Sequence, residues 1–144
     1  MKSKKKIFLS TIIILSLING YYFVVPYFKS SEKNLENETA ELSVSSKELV
    51  NAYITNEGKS DVLYAGKIIE VTGFIKEISF INNRNTIILN SSTETFGVIC
   101  DLNKNQEDKI KQLKEDQKIR VKGICKGFLK DVILLNCSID FIAK

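Results

Sequence analysis

The chain has 144 residues and a formal charge of +4, with no His and no Trp. The charge divides evenly, since residues 1–42 carry six Lys against four Glu and residues 43–144 carry fifteen Lys or Arg against thirteen Asp or Glu. This balance lacks the basic bias of a typical nucleic-acid-binding domain, and the missing His removes the commonest general base and metal ligand.

Lys2, Lys4, Lys5 and Lys6 precede an uncharged, mainly apolar run from Ile7 to Phe28. Such a run is about long enough to cross a hydrocarbon core of ~30 Å as a helix. Tyr21, Tyr22 and Tyr27 stand at its far end, where an interfacial aromatic belt would lie. Residues 1–6 therefore read as a cytoplasmic leader and residues 7–28 as a transmembrane anchor. This predicts a single-pass protein of the cell (inner) membrane with its C-terminal bulk outside the cytoplasm. A cleaved signal peptide is the alternative; Gly20 suits a cut, but Ile18 is not the small residue expected two positions earlier. Residues 29–42 are polar without a periodic apolar face and read as a flexible linker. Residues 43–144 form the domain.

Within that domain, Ser45-x-x-Glu48 is a capping box, and Leu49, Val50, Tyr53 and Ile54 follow at helical spacing. The helix start is placed at Ser43 to Lys47. Asn56-Glu57-Gly58 interrupts the helix, Val62, Leu63 and Tyr64 supply a second apolar cluster, and Gly66 is a stop. Lys67 to Ile81 alternates as a long strand with a bend near Gly73. Asn82 to Asn85 is a turn, Thr86 to Asn90 a second strand and Phe96 to Leu102 a third. Asn103 to Glu115 is a short polar helix with Ile110 and Leu113 on its buried side. Lys118 to Leu129 is a fourth strand, Lys130-Asp131 a tight turn, and Val132 to Phe141 a fifth.

The fold class is mainly β with short helices: a five-stranded OB-like barrel preceded by a helix and by the N-terminal transmembrane helix. A different small barrel or sandwich is the alternative. An internal echo favours the OB order. Gly66 to Gly73 and Gln117 to Gly123 share a pattern ending in Gly, and the first and fourth strands of an OB barrel lie side by side and must both curl.

Four motifs carry a family resemblance: Tyr64-x-Gly66-Lys67-x-x-Glu70-Val71-x-Gly73, Val98-x-Cys100, Val121-x-Gly123-x-Cys125-x-Gly127-Phe128 and Asp131-Val132-x-Leu134-x-Asn136-Cys137. From about Glu48 to Asp140 the chain resembles the bacterial OB-fold family called tRNA_anti-like (tRNA-anticodon-binding-like). The resemblance implies the fold. It implies no catalytic residues and no particular ligand. The apolar anchor departs from the lipid attachment associated with many members.

The ligand face of an OB barrel is the exposed side of the second and third strands. Here that side should present Thr86, Ile88, Asn90, Gly97, Ile99 and Asp101. Ile88 and Ile99 are the candidate contacts, with Arg84 and Lys130 supplied by nearby loops. The face offers no stacking ring and no cation of its own, so nucleic acid is disfavoured as a partner. The basic stripe Lys118, Arg120, Lys122 and Lys126 reads as a solvated strand face.

Phe96, Val98, Cys100 and Leu102 share one face, as do Val121, Gly123 and Cys125, and Ile133, Leu135, Cys137, Ile139 and Phe141. All three cysteines are in the inward phase. Buried thiols and one disulfide both fit this placement; a metal site lacks a CxxC pair and a His. Cys125 lies six residues before Asp131 and Cys137 six after. An odd loop centred on Asp131 puts them face to face within disulfide reach, whereas a two-residue turn pairs Cys125 with Asn136. A Cys125–Cys137 bridge is the candidate and Cys100–Cys137 its rival.

These features point to a non-enzymatic, membrane-anchored, extracytoplasmic binding or assembly module without a cofactor, whose partner is an envelope protein or a small ligand. A thiol-redox or metal-handling envelope protein and an oligonucleotide-binding OB protein are the alternatives.

Overall fold

The computed structural model describes residues 10–22 and 34–142. The chain divides into two units, Met1–Glu32 and Lys33–Lys144. In the first, residues 10–22 form helix α1, inside the stretch expected to cross a membrane. Among the described residues no helix is long and apolar enough to do so. The two ends of the expected span, residues 7–9 and 23–28, lie outside the described residues.

The second unit runs β1 (Leu42–Ser45), α2 (Ser46–Thr55), α3 (Glu57–Tyr64), β2 (Ile68–Ile81), β3 (Arg84–Asn90), β4 (Gly97–Leu102), a 3-10 turn (Lys104–Gln106), α4 (Glu107–Ile110), β5 (Lys118–Phe128) and β6 (Val132–Asp140). The sheet order is β1-β2-β3-β4-β6-β5, and β2 also pairs with β5, which closes a barrel of five strands. The β4–β6 pairing is parallel and the other barrel pairings antiparallel. This is the OB order expected from the sequence, with the last strand between the third and fourth of the barrel.

Strand β2 makes closure possible. It pairs with β5 from Ile68 to Phe74 and with β3 from Ile75 to Ile81, with a bulge between Ile75 and Glu77. The change of partner follows directly on Gly73. A Cβ there would sit 2.5 Å from Ser46 Oγ and 3.3 Å from Leu89 Cβ. Ser46 Oγ donates to the Asn90 carbonyl at 2.5 Å, so a missing side chain lets the head of α2 dock where β3 ends.

Helix α2 begins as the capping box predicts, with Ser45 and Glu48 satisfying each other's backbone. It lays Leu49, Val50 and Tyr53 into the core beside Ile69, Val71, Ile87, Leu89, Val121 and Leu134. Ile54, by contrast, is exposed. Asn56 ends α2 and caps α3. The apolar cluster expected on α3 does not bury, since Val62 and Leu63 are exposed and only Tyr64 packs against the core. Tyr64 instead joins Tyr53, which stacks on Phe128 with ring centres 5.7 Å apart.

Two expectations need correction. Leu42 to Ser45 is a strand rather than loop and helix start, because β2 offers a free edge over Ile69–Thr72 where β3 has ended. The residues read as a flexible linker are also docked in part. Leu35 is 1% exposed, Glu41 N–H donates to the Ile68 carbonyl, and Lys122 Nζ donates to the carbonyls of Leu35, Glu36 and Glu38 at 3.3, 3.2 and 2.7 Å. One buried Leu and a handful of backbone bonds have no period for a sequence reading to detect.

Glu36 joins this segment to the turn before β5. Its carboxylate accepts from Lys109 Nζ at 2.8 Å and from Gln106 Nε2 at 2.9 Å. The Lys109 bond first and the Gln106 bond second hold its pKa at about 2, below the ordinary 4.5. A depressed carboxylate stabilises the fold above its ordinary pKa, and that contribution is lost as pH falls. Backbone protection of residues 35–44, measured by hydrogen exchange, should therefore fall between pH 4.5 and about 2 ahead of the barrel strands. Glu36→Gln should remove the difference. Protection of this segment that tracks β3 and β4 at every pH would contradict the assignment.

Candidate ligand-binding face

The outer face of the barrel is built from cross-strand pairs. Thr86 lies opposite Asp101, Ile88 opposite Ile99 and Asn90 opposite Gly97. The rows continue onto β2, where Ser79 faces Thr86 and Glu77 faces Ile88, and onto β6, where Ile133 faces Ile99. Ile88, Ile99 and Ile133 thus form one apolar row across three strands, each half-buried.

Ile133 was expected inside. Val132 and Leu134 hold the core side of early β6 instead, while Ile133 and Leu135 are half-exposed. Asn136, with φ 55, takes up the mismatch in a bulge, after which Cys137 and Ile139 are buried. A bulge shifts the inward phase by one residue, and nothing in the alternation of Val132 to Ile139 announces it.

Of the other expected site residues, Arg84 reaches from β3 to β4 to pair with Asp101 at one end of the face. Lys130 lies at the other end. There Asp131 Oδ1 accepts from Gly97 N–H at 2.7 Å and pins the β5–β6 turn to the start of β4. The basic stripe is spent on structure. Lys118 lies 5.8 Å over the Phe74 ring, Arg120 bridges Glu70 and Asp140, and Lys122 caps the docked segment; Lys126 is exposed and makes no such contact among the described residues.

The sequence reading marked none of the exposed rings Phe74, Phe80 and Phe141, and placed Phe141 inward. Phe80 is 65% exposed near the tip of the β2–β3 hairpin, opposite Asn85. Its alternation with Ile78 marks it as inward, but the hairpin runs past the core there. Asn82 and Asn83, with φ 50 and 62, close the hairpin in two residues and set Arg84 beside the turn. The Asn-Asn pair was the available signal that Phe80 stands at an apex rather than in a core.

The three cysteines are free and fully buried. The expected Cys125–Cys137 bridge is not formed, for a reason of register: Phe128 pairs with Val132 around a three-residue turn, and a second bulge then sets Cys125 opposite Leu134. Cys137 packs over Gly123 instead, where a Cβ would come within 2.6 Å of its Sγ. Burial pushes the Cys137 thiol up, and its hydrogen bond with Cys100 adds to the shift. Tyr53 Oη lies 3.5 Å from Cys125 Sγ. Native protein should therefore take up no alkylating label at neutral pH, and denatured protein should take up three, as read by intact mass. A native mass short by a disulfide, or rapid native labelling, would contradict the buried-thiol state.

Comparison with known proteins places this geometry. The family model described as tRNA_anti-like matches residues 1–139. A lipoprotein from Klebsiella pneumoniae, proposed to bind nucleic acid, superposes with a TM-score of 0.55 at 15% identity over 67% of this chain and 90% of that one. The Stn1–Ten1 complex of S. pombe gives a TM-score of 0.44 at 12% identity over 54% of this chain and 59% of that one. No curated protein matches the chain in sequence. Composition and outer strand positions alone argued against nucleic acid as a partner. The family match and the lipoprotein neighbour overturn that exclusion. Its physical weakness was to count rings only on the outer strand phase, which omits Phe80.

Proposed function

The chain belongs to the tRNA_anti-like family, and on that premise we propose that it is a non-enzymatic OB-fold module that binds single-stranded nucleic acid across the outer face of β3 and β4. The observation that carries this reading is the β2–β3 hairpin tip, where the half-exposed Arg84 lies on the same face of β3 as Ile88 and the exposed ring of Phe80 stands on the opposite side of the same tip, within reach of a strand that wraps over it. Single-strand binders combine stacking rings with cations that follow the backbone. The fold likeness to the Klebsiella lipoprotein agrees with it.

Residues 1–6 serve as leader and residues 7–28 as the membrane anchor in this reading, with the barrel outside the cytoplasm. The four lysines before Ile7 support that orientation. Thiol chemistry is the weaker reading, because the thiolate is the reactive form and burial moves Cys137 away from it.

Fluorescence anisotropy of the full chain in detergent micelles, with labelled single strands of about a dozen nucleotides, tests the binding. Affinity should grow with strand length. Two phosphate contacts, from Arg84 and Lys130, predict a slope of log affinity on log salt of about −1.4. Phe80→Ala should cost about 1–3 kcal/mol, the worth of one stacked base. No binding at low salt, or full affinity in the Phe80 variant, would overturn the site.

Orientation has a separate test. Protease added to intact spheroplasts should release the barrel from the anchor. A fully protected barrel would reverse the orientation and leave the ligand face on the cytoplasmic side.

A further inference from the structure

Two buried polar side-chain atoms among the described residues have no hydrogen-bond partner, Ser79 Oγ and Asp101 Oδ1. Buried acceptors of this kind are expensive to leave unpaired, and a pair of them calls for an explanation. They belong to one cross-strand row. Ser79 lies opposite Thr86, and Thr86 opposite Asp101, so the two stand two strand spacings, about 10 Å, apart on the ligand face.

Arg84 lies beside this row and is held to its Asp101 end. It shares a strand and a phase with Thr86, and its Nη1 donates to the other oxygen of Asp101, Oδ2. Thr86 beside it is only 7% exposed, and the Asp101 side chain only 14%. The Arg84 side chain is 50% exposed and so free to meet an anion from solvent.

We propose that Ser79, Thr86 and Asp101 form a base-reading site that Arg84 closes in the free protein, and that Asp101 selects guanine. The inference rests on the single-strand reading above. A backbone phosphate is a bidentate partner for a guanidinium and competes with Asp101 for Arg84. Release of Arg84 leaves a carboxylate that only accepts, through two adjacent oxygens. The bases of a single strand present their Watson–Crick edges. Guanine alone carries two adjacent N–H donors there, N1–H and N2–H. Adenine and cytosine set one amino group beside a ring acceptor, and thymine sets one N–H between two carbonyls that repel a carboxylate. The Ser79 hydroxyl, the other unpartnered atom of the row, is a further donor or acceptor for the strand two strand spacings away.

The test compares two labelled strands of equal length, oligothymidine and alternating thymidine–guanosine, on the full chain in detergent micelles. The guanine-containing strand should bind roughly tenfold tighter or more, the worth of one bidentate base contact. Asp101→Asn should bring the two affinities together and at the same time tighten oligothymidine binding, because Arg84 is then free for phosphate. A residue that merely supports the fold would give no such gain. Arg84→Gln should weaken both strands alike and keep the guanine preference, and circular dichroism should show both variants folded. Equal wild-type affinities overturn the base-reading site and leave the single-strand reading standing. A preference that survives Asp101→Asn overturns the role of Asp101. Binding of neither strand overturns both readings.

Discussion

Strand β2 is the member on which the rest depends. A barrel of five strands closes only if one strand pairs with two others in succession, and β2 does so by leaving β5 after Phe74 and joining β3 at Ile75. The handover needs a sharp curl with no bulk on its inner side. Gly73 supplies it, and the space it leaves is taken by Ser46 and Leu89. The head of α2, the end of β3 and the bend of β2 are therefore a single packed joint. Strand β1 is a consequence: once β3 stops at Asn90, the first half of β2 has an open edge, and Leu42 to Ser45 fill it. Unpaired strand edges are a liability, and a short parallel strand covers this one.

The proposed ligand face follows from the same closure. Because β2, β3, β4 and the start of β6 pair in register, their outward residues align in rows: one apolar through Ile88, Ile99 and Ile133, one polar through Ser79, Thr86 and Asp101. The hairpin overshoots the barrel and carries Phe80 and Arg84 with it. Its two-residue turn fixes the register that lets Arg84 reach Asp101. At the opposite end, Asp131 holds the β5–β6 turn against Gly97, so the face is bounded by two turns that are both tied down. A rigid, bounded surface loses little entropy when it binds.

Charge is distributed with equal economy. Lys118, Arg120 and Lys122 of β5, three of the four members of the basic stripe, are committed to a ring, to carboxylates and to the carbonyls of the docked segment before β1. The sulfur atoms are enclosed. Cys137 occupies the volume that Gly123 vacates, and Cys125 meets Tyr53 under α2. Small apolar thiols fill the crowded interior of the barrel where strands approach closely, which is a packing role.

Much of this was legible in the residues because it is local. The capping box at Ser45 and Glu48, the turn at Asn82 and Asn83, the long alternation of β2 and the inward phase of Cys100 and Cys125 all depend on neighbours within a few positions. Alternation and glycine placement were enough to give the strand order of the OB barrel. What depends on distant contacts was not legible. The phase of early β6 is set by a bulge at Asn136, and the bulge exists because β6 must match a parallel β4 and an antiparallel β5 at once. The docking of Leu35 and Glu36 relies on Gln106, Lys109 and Lys122, some seventy or more positions away. The unpaired atoms of Ser79 and Asp101 belong to this class too, for their isolation is a property of the row that three strands build and of the arginine lying beside it. Local propensity is written along the chain; the register between strands is chosen only when all of them close together.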